Sequence, residues 1–253
     1  MNIKEIGRGI LFYLSVPRCV GCRERLLFSE DTLCKKCLEK YNDVKERNCS
    51  LCGKMLYECS CSNEYLTRHY VHKVFKVFRY VREDPLPTNN LIYSLKRDNR
   101  SDVLNFLADE LYKSLSAEFK NGGDFVFTNV PRRKAATIKY GIDHSALLAK
   151  TLAKRFSAEY YQPFISKTTK AQKKMMASER VKNARFEIKK NSRDFSKKTV
   201  IIVDDIITTG ASMGAVAMLS RALGAKKIIG AAISIAYKDT YHKFDNKDRF
   251  KSK

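Results

Sequence analysis

One stretch, TVIIVDDIITTGASM at residues 199–213, constrains the fold of this chain more than any other. Four aliphatic residues, Val200 to Val203, lead directly into Asp204 and Asp205, and a hydroxyl-rich loop then precedes a helical pattern. An unbroken Val/Ile run predicts a strand buried on both faces, as in a parallel α/β sheet. Open α/β sheets bind ligands at the carboxyl ends of their strands, and helix N-termini favour anions. We therefore expect a binding site directly after this strand.

The residue types of the loop indicate which ligand fits. The hydroxyls of Thr208, Thr209 and Ser212, with backbone amides that Gly210 leaves accessible, suit one phosphate group. Carboxylates repel phosphate but accept hydrogen bonds, so the two acids suit the neighbouring hydroxyls of a ribose, or a metal ion. The alternative is an acidic Mg²⁺ or phosphotransfer site on another α/β fold.

The whole motif resembles the binding motif of type I phosphoribosyltransferases, which hold phosphoribosyl pyrophosphate (PRPP). The resemblance implies that the ligand is PRPP or ribose 5-phosphate. The residues implied to bind it are Asp204, Asp205, Ile206, Ile207, Thr208, Thr209, Gly210, Ala211 and Ser212.

All eight cysteines lie between residues 19 and 61, in four closely spaced pairs. Two such pairs complete a tetrahedral zinc shell, so the pattern predicts two structural zinc sites with no open coordination position. The spacer between Cys22 and Cys34 equals that between Cys37 and Cys49, which leaves open that the middle two pairs share one ion. Iron–sulfur binding is the other alternative. The sequential assignment puts Cys19, Cys22, Cys34 and Cys37 on one ion and Cys49, Cys52, Cys59 and Cys61 on the other.

The formal net charge of the chain is +22. A charge of this size favours a polyanionic partner, and the alternative is that lysine-rich proteomes make many basic proteins. Basic residues around the cysteines alternate with Phe28, Tyr41 and Tyr57, a composition that suits single-stranded DNA. The apolar run Ile10 to Val16 is too short to span a membrane and lacks a cleavage site. We expect a cytoplasmic protein without a membrane span, and its cysteines to bind metal instead of forming disulfides.

The rest of the chain alternates strand and helix patterns, which predicts a parallel sheet with flanking helices after a small cysteine-rich region. We expect a double zinc ribbon with an N-terminal segment at 1–65, a phosphoribosyltransferase-like domain at 66–240 and a basic tail at 241–253. The segments expected in the first half are a linker at Asn63–Tyr70, a strand at Val74–Tyr80 with alternate residues inward, a loop at Ser94–Arg100, a strand at Phe125–Val130 and a basic loop at Arg132–Ser145. Those expected after it are a helix at Ser145–Phe156 with the N-cap Asp143, a strand at Tyr160–Ile165, a polar hood, flap or flexible loop at Lys167–Lys198, a helix at Ser212–Leu223 that stops at Gly224, and a strand at Lys227–Tyr237.

This order of parts resembles the ComF family of competence-associated proteins, which join a double zinc ribbon to a type I phosphoribosyltransferase domain. The resemblance rests on the cysteine pairs, on Leu95 to Asp98, and on Pro131 with Tyr140 to His144. Tyr140 stands where the family segment usually opens with arginine. Further matching positions precede the VDDIITTGAS motif in the expected order: Gln172, Glu179, Arg180, Asn183 and Phe186.

The resemblance implies a reaction in which the bond from the anomeric ribose carbon to pyrophosphate breaks. Negative charge develops on the leaving group, where Mg²⁺ and fixed cations meet it. The implied function is a PRPP-binding phosphoribosyltransferase of unknown acceptor that acts in DNA uptake with single-stranded DNA and the competence machinery. The alternative is a PRPP-sensing regulator, or a DNA-binding accessory protein without transferase activity. The candidate catalytic cations are Lys96, Arg97, Arg132, Arg133 and Lys139, with Arg100 as a further candidate.

Overall fold

The computed structural model describes residues 17–80, 87–167 and 184–236. The expected N-terminal apolar element, the basic tail and most of the polar segment before residue 184 lie outside these residues. So do four of the ComF-like positions, Gln172, Glu179, Arg180 and Asn183. Among the described residues, no helix is long and apolar enough to cross a bilayer.

A five-stranded parallel sheet forms the centre of the molecule. The strand order is β1-β7-β6-β2-β3, and a separate antiparallel pair joins β4 to β5. This confirms the predicted α/β fold, a parallel sheet with flanking helices. The described elements are, in chain order, α1 (Lys35–Lys45), α2 (Glu64–Arg68), β1 (Val71–Arg79), α3 (Pro87–Arg97), α4 (Ser101–Ser116), β2 (Phe125–Asn129), α5 (Lys134–Tyr140), α6 (His144–Arg155), β3 (Glu159–Tyr160), β4 (Phe164–Ser166), β5 (Phe186–Ile188), β6 (Thr199–Ile207), α7 (Ala211–Ala222) and β7 (Lys227–Ile235).

The central strand β6 is buried on both faces, as its aliphatic run predicts. Ile201 and Val203 pack with α3, α4 and α6 on one face, and Val200 and Ile202 pack with α2 and α7 on the other. Full burial of one such side chain contributes about 1.5–3 kcal/mol. Because alternate side chains of β6 pack into the cores on both faces of the sheet, the strand that carries the two acids is held firmly in place.

The cysteine region, residues 19–61, packs into the same hydrophobic core as one face of the sheet. Tyr41 and Val44 of α1 are fully buried in the same cluster as Phe78 of β1 and Leu91 of α3. The buried carboxylate of Glu110 on α4 accepts hydrogen bonds from the Tyr41 hydroxyl at 3.2 Å and the Lys45 ammonium at 2.8 Å. The expected boundary between residues 65 and 66 falls inside α2.

Strand β1 differs from its prediction. The alternating sequence predicts one inward face, but Val74 to Phe78 are all buried, because the cysteine region covers the face that would otherwise meet solvent. Lys76 lies in this run and is only 1% exposed. Its ammonium group has polar partners in the cysteine region, which is why a lysine can occupy this position.

Other local predictions are wrong where tertiary contacts outweigh the local sequence. The expected loop at residues 94–100 continues α3 as far as Arg97, and the expected linker at 63–70 contains α2. The expected loop at 132–145 contains α5, and the strand expected at 160–165 is split between the two sheets. Two signals are confirmed: Asp143 caps α6 by accepting a bond from the Ala146 amide, and Gly224 follows the end of α7 with φ of 80°.

Candidate functional site

A pocket that is open to solvent lies at the carboxyl end of β6. The lining is formed by Asp204, Ile206, Ile207, Thr208, Thr209, Gly210, Ala211, Ser212 and Met213. All of these except Met213 were predicted as binding residues, and of that predicted set only Asp205 does not line the pocket. The strand therefore contributes Asp204 to the pocket, and the start of α7 contributes backbone amides to the same place.

Gly210 gives the loop its shape. Its φ is 84°, a conformation that is strained for any residue with a side chain. A Cβ atom there would also lie 2.7 Å from Cγ of Leu66 on α2. The Thr209 hydroxyl accepts a 3.3 Å bond from the Ala211 amide, so it holds the loop itself, whereas Thr208 and Ser212 are half-buried beside the pocket. The turn can present hydroxyls and amides to an anion.

The two acids have different surroundings. Asp204 accepts a 3.1 Å bond from the Ser145 hydroxyl and a 2.8 Å bond from the Asp205 amide. Burial, together with the charge of Asp205, raises the pKa of Asp204 to about 8. Burial also acts to raise the pKa of Asp205, but the ion pair with Lys96 outweighs it and the net direction is down. The pair therefore combines one carboxylate with one carboxyl group that readily holds a proton.

Lys96 and Arg132 are the predicted cations that the structure brings to the acids. The Lys96 ammonium lies 2.8 Å from Oδ2 of Asp205. Arg132 lowers the pKa of Asp205 through its charge, and its guanidinium contacts the Ile142 carbonyl at 2.9 Å and Nδ1 of His144 at 3.1 Å. Lys96 and Arg132 thus both supply positive charge near Asp205.

His144 is a buried link between these groups. Its Nε2 lies 2.8 Å from Oδ1 of Asn99, and its Nδ1 faces Arg132. Burial, with the neighbouring Arg132 charge, lowers the pKa of His144. A neutral imidazole here holds the Arg132 side chain, as a local hydrogen-bonding residue does.

The remaining predicted cations have other positions. Arg97 is exposed at the end of α3, with its guanidinium 5.7 Å from the Tyr93 ring. Arg133 precedes α5 as its N-cap, and Lys139 lies on α5, where its side chain is outside the described residues. Arg100 pairs with Asp102 at 2.6 Å and donates to the Arg18 carbonyl, so it supports the cysteine region and not the acids.

The eight cysteines form two groups, in the sequential pairing. Within each group the Sγ atoms all lie within 4.8 Å of one another. Sγ of Cys22 lies 3.7 Å from Sγ of Cys34, and Sγ of Cys52 lies 3.5 Å from Sγ of Cys59. Zinc–sulfur bonds of about 2.3 Å place the sulfurs of a tetrahedral site about 3.8 Å apart. The donor sets therefore fit a four-cysteine metal ion in each group.

Sequence analysis missed several polar residues that complete these sites. The Lys76 ammonium lies 3.1 Å from Sγ of Cys59 and donates to the Cys61 carbonyl at 2.9 Å. Ser145 bonds Asp204, and Asn63 bonds the Thr209 carbonyl at 3.4 Å. Only Lys76 had a sequence signal, because it lies between apolar residues of a predicted strand. Asn63 and Ser145 reach partners more than fifty residues away, which no local pattern indicates.

Comparisons with known proteins agree with this geometry. Residues 142–252 match the phosphoribosyl transferase domain family. Competence protein F of Haemophilus influenzae is 24% identical over 221 residues, which cover 83% of this chain and 93% of that protein. The predicted resemblance is thereby confirmed: residues 142–252 are similar to phosphoribosyl transferase domains, and the chain is similar to a competence protein along most of its length.

Solved structures with similar folds include two phosphoribosyltransferases. The purine phosphoribosyltransferase of Pyrococcus horikoshii is 17% identical, with 53% of this chain and 82% of that chain covered and a TM-score of 0.34. The adenine phosphoribosyltransferase of Saccharomyces cerevisiae is 22% identical, with 64% and 79% covered and a TM-score of 0.37.

Proposed function

We propose that this chain is a PRPP-binding, phosphoribosyltransferase-like protein of the ComF type. One observation carries the proposal: Asp204 and the phosphate-type loop line one pocket at the end of the central strand, and Asp205 is the next residue of that strand. The loop between Thr208 and Ser212 takes the 5-phosphate through hydroxyls and amides. Asp204 and Asp205 take the ribose hydroxyls, which can donate to carboxylate oxygens.

The chemistry of transfer needs positive charge at the pyrophosphate. Departure of pyrophosphate leaves positive charge on the sugar and negative charge on the leaving group. Lys96 and Arg132 are the described cations beside the acids and suit the negative side. The oxygen donors of Asp204 and Asp205 also suit Mg²⁺, which neutralises pyrophosphate charge when bound. A neutral Asp204 donates a hydrogen bond, so it suits a ribose oxygen before the metal binds.

Paired substitution tests this site. Asp204→Asn with Asp205→Asn should weaken PRPP binding about 100-fold, because two charge-assisted hydrogen bonds are lost. Isothermal titration with Mg²⁺ and PRPP measures the change. Asp124→Asn is the matched control, since that carboxylate is 81% exposed and far along the chain from the motif. An unchanged affinity in the double variant would show that the ligand site is elsewhere.

The transferase and a non-catalytic PRPP sensor remain two candidate functions. Two observations favour the sensor: Tyr140 replaces the arginine of the ComF segment, and the Arg132 guanidinium is held by protein groups. Release of pyrophosphate from PRPP, measured across candidate acceptors, separates them. Release that depends on an acceptor establishes the transferase, and binding without release by any acceptor supports the sensor.

We propose that single-stranded DNA binds the cysteine region in DNA uptake. The support is the charge of +22 and two apolar side chains on the loop between the first two cysteine pairs, Leu27 at 67% and Phe28 at 52% exposure. Arg23 and Arg25 precede them, and aromatic rings with nearby cations are typical of single-strand binding. Phe28→Ala should weaken binding of an oligonucleotide in fluorescence anisotropy at fixed salt by about fivefold or more, from one lost stacking contact.

The control for this test is Tyr70→Ala. Tyr70 is also exposed, at 47%, but it lies beside Arg221 of α7 and outside the cysteine groups. Equal losses in both variants would contradict the assignment to the cysteine region.

We propose that both metal ions are zinc and structural. The four-sulfur shells leave no coordination position open for chemistry, and a region this small gains folding free energy from metal. Metal analysis of the purified chain should give about two zinc ions per molecule. Iron, or a single ion, would contradict this proposal.

A further inference from the structure

The segment between the second cysteine group and the pocket is short and fixed at its first end. We call residues 59–66 the connecting segment; it begins with the last two cysteines of the second group, which consists of Cys49, Cys52, Cys59 and Cys61, and it ends in α2. Its Cys59 sulfur and Cys61 carbonyl both contact the buried Lys76 ammonium, at 3.1 and 2.9 Å. The Ser62 hydroxyl donates to the Val71 carbonyl at 2.6 Å. The second cysteine group is therefore joined firmly to β1.

At its other end the connecting segment contacts the loop of the pocket. Oδ1 of Asn63 accepts a 2.8 Å bond from the Leu66 amide and so caps α2. Nδ2 of the same side chain donates to the Thr209 carbonyl at 3.4 Å. Leu66 is fully buried against Gly210, where it leaves no space for a side chain. One side chain thus connects a helix start with the loop that lines the pocket.

The bond to Thr209 determines where the next amide points. A trans peptide directs its C=O and N–H in opposite directions. Since the Thr209 carbonyl faces Asn63, the Gly210 N–H faces away from Asn63. An amide held in one direction costs less to order when an anion binds.

We propose that Asn63 is a positioning residue for the anion-binding loop, and that the second cysteine group acts on the pocket through the connecting segment. The ligand identity rests on the proposed function, because PRPP supplies the phosphate. The order of the loop does not depend on that identity, so it can be measured without ligand.

The test separates the two bonds of Asn63. Asn63→Ser keeps an oxygen that caps α2 but is too short to reach Thr209, and Asn63→Ala loses both bonds. Thr67→Ala is the matched control, since its hydroxyl bonds the Asn63 carbonyl on the exposed side of the same helix. Hydrogen exchange of the peptide covering residues 206–213, in the ligand-free protein, reports loop order. Titration with Mg²⁺ and PRPP reports affinity.

Hydrogen exchange in residues 206–213 should be faster than in the parent protein in both Asn63 variants, and equal to that of the parent in Thr67→Ala. The PRPP Kd should rise about 3–10-fold in Asn63→Ser, in line with the loss of one hydrogen bond. Metal content should stay unchanged in all variants. Parent-like exchange in Asn63→Ser with faster exchange in Asn63→Ala would assign the effect to the helix cap and overturn the proposal. Absence of PRPP binding in the parent would overturn the proposed ligand alone, because the exchange data would still decide the positioning role.

Discussion

The two cysteine groups differ in the part of the pocket framework that they contact. The first group contacts α3: the Gly21 carbonyl accepts a 2.7 Å bond from Asn90, six residues before Lys96. The second group contacts the loop after β6 through Asn63. Leu95 of α3 belongs to the core cluster on one face of β6, and Leu66 to the cluster on the other. The first group therefore contacts the helix that carries Lys96, and the second group contacts the loop that lines the pocket.

The largest expected effect comes from removing one exposed cysteine from each group. Cys22→Ser and Cys52→Ser form a matched pair, since both side chains are exposed and each belongs to one group. Each variant should lose about one metal ion, with a stability loss of several kcal/mol because metal binding supports folding. Hydrogen exchange should then rise mainly in residues 87–97 for Cys22→Ser and in residues 206–213 for Cys52→Ser.

Mass spectrometry of peptic peptides measures both patterns in one experiment. The same pattern of exchange in both variants would contradict the assignment of separate roles.

A smaller effect is expected from Lys76→Met. Four thiolates on a divalent ion leave excess negative charge, and the buried ammonium beside Cys59 offsets it. The variant should release metal from the second group to a chelator about 10-fold faster, as for other residues that bond metal ligands. Release from the first group, resolved as a separate kinetic phase, serves as the internal control. Equal acceleration of both phases would indicate general unfolding instead.

An effect that depends on pH is expected at Asp204. Because the folded protein raises the pKa of Asp204 from 3.8 to about 8, folding takes up a proton between these values. The contribution to stability is complete below pH 3.8 and is lost as pH rises through about 8. The side-chain amide of Asp204→Asn does not ionise, so the variant keeps the stability that the parent loses as pH rises. Its Tm should exceed that of the parent by about 2–4 °C for each kcal/mol that it keeps, and the difference should grow from about pH 5 to about pH 9.

Thermal unfolding at several pH values measures this difference. Asp124→Asn, with its exposed carboxylate, should follow the parent at every pH. A Tm difference for Asp204→Asn that falls with rising pH would contradict the raised pKa.

Local sequence signals predicted the parts of the site that lie within one strand, loop or helix end. The aliphatic run of β6, the pocket loop, the Asp143 cap and the cysteine pairs depend on residues close in sequence. The contacts of Lys96 with Asp205 and of Asn63 with Thr209 depend on chain segments more than one hundred residues apart. The alternating pattern of β1 gives no sign that Lys76 is buried. Its polar partners, Cys59 and Cys61, lie in the cysteine region, and the contact of that region with β1 cannot be read from the sequence of the strand.

The contact between the second cysteine group and β1 has a further consequence. β1 is the last strand of the sheet in its order, and the group covers it with a bridge from Cys61 to Lys73 and a bond from the Val74 amide to the Ser60 carbonyl. Uncovered edges of sheets are templates for pairing between chains. A metal ion that holds the second group in place would therefore also keep the edge of β1 covered, and loss of that ion would leave β1 open to pairing with another copy.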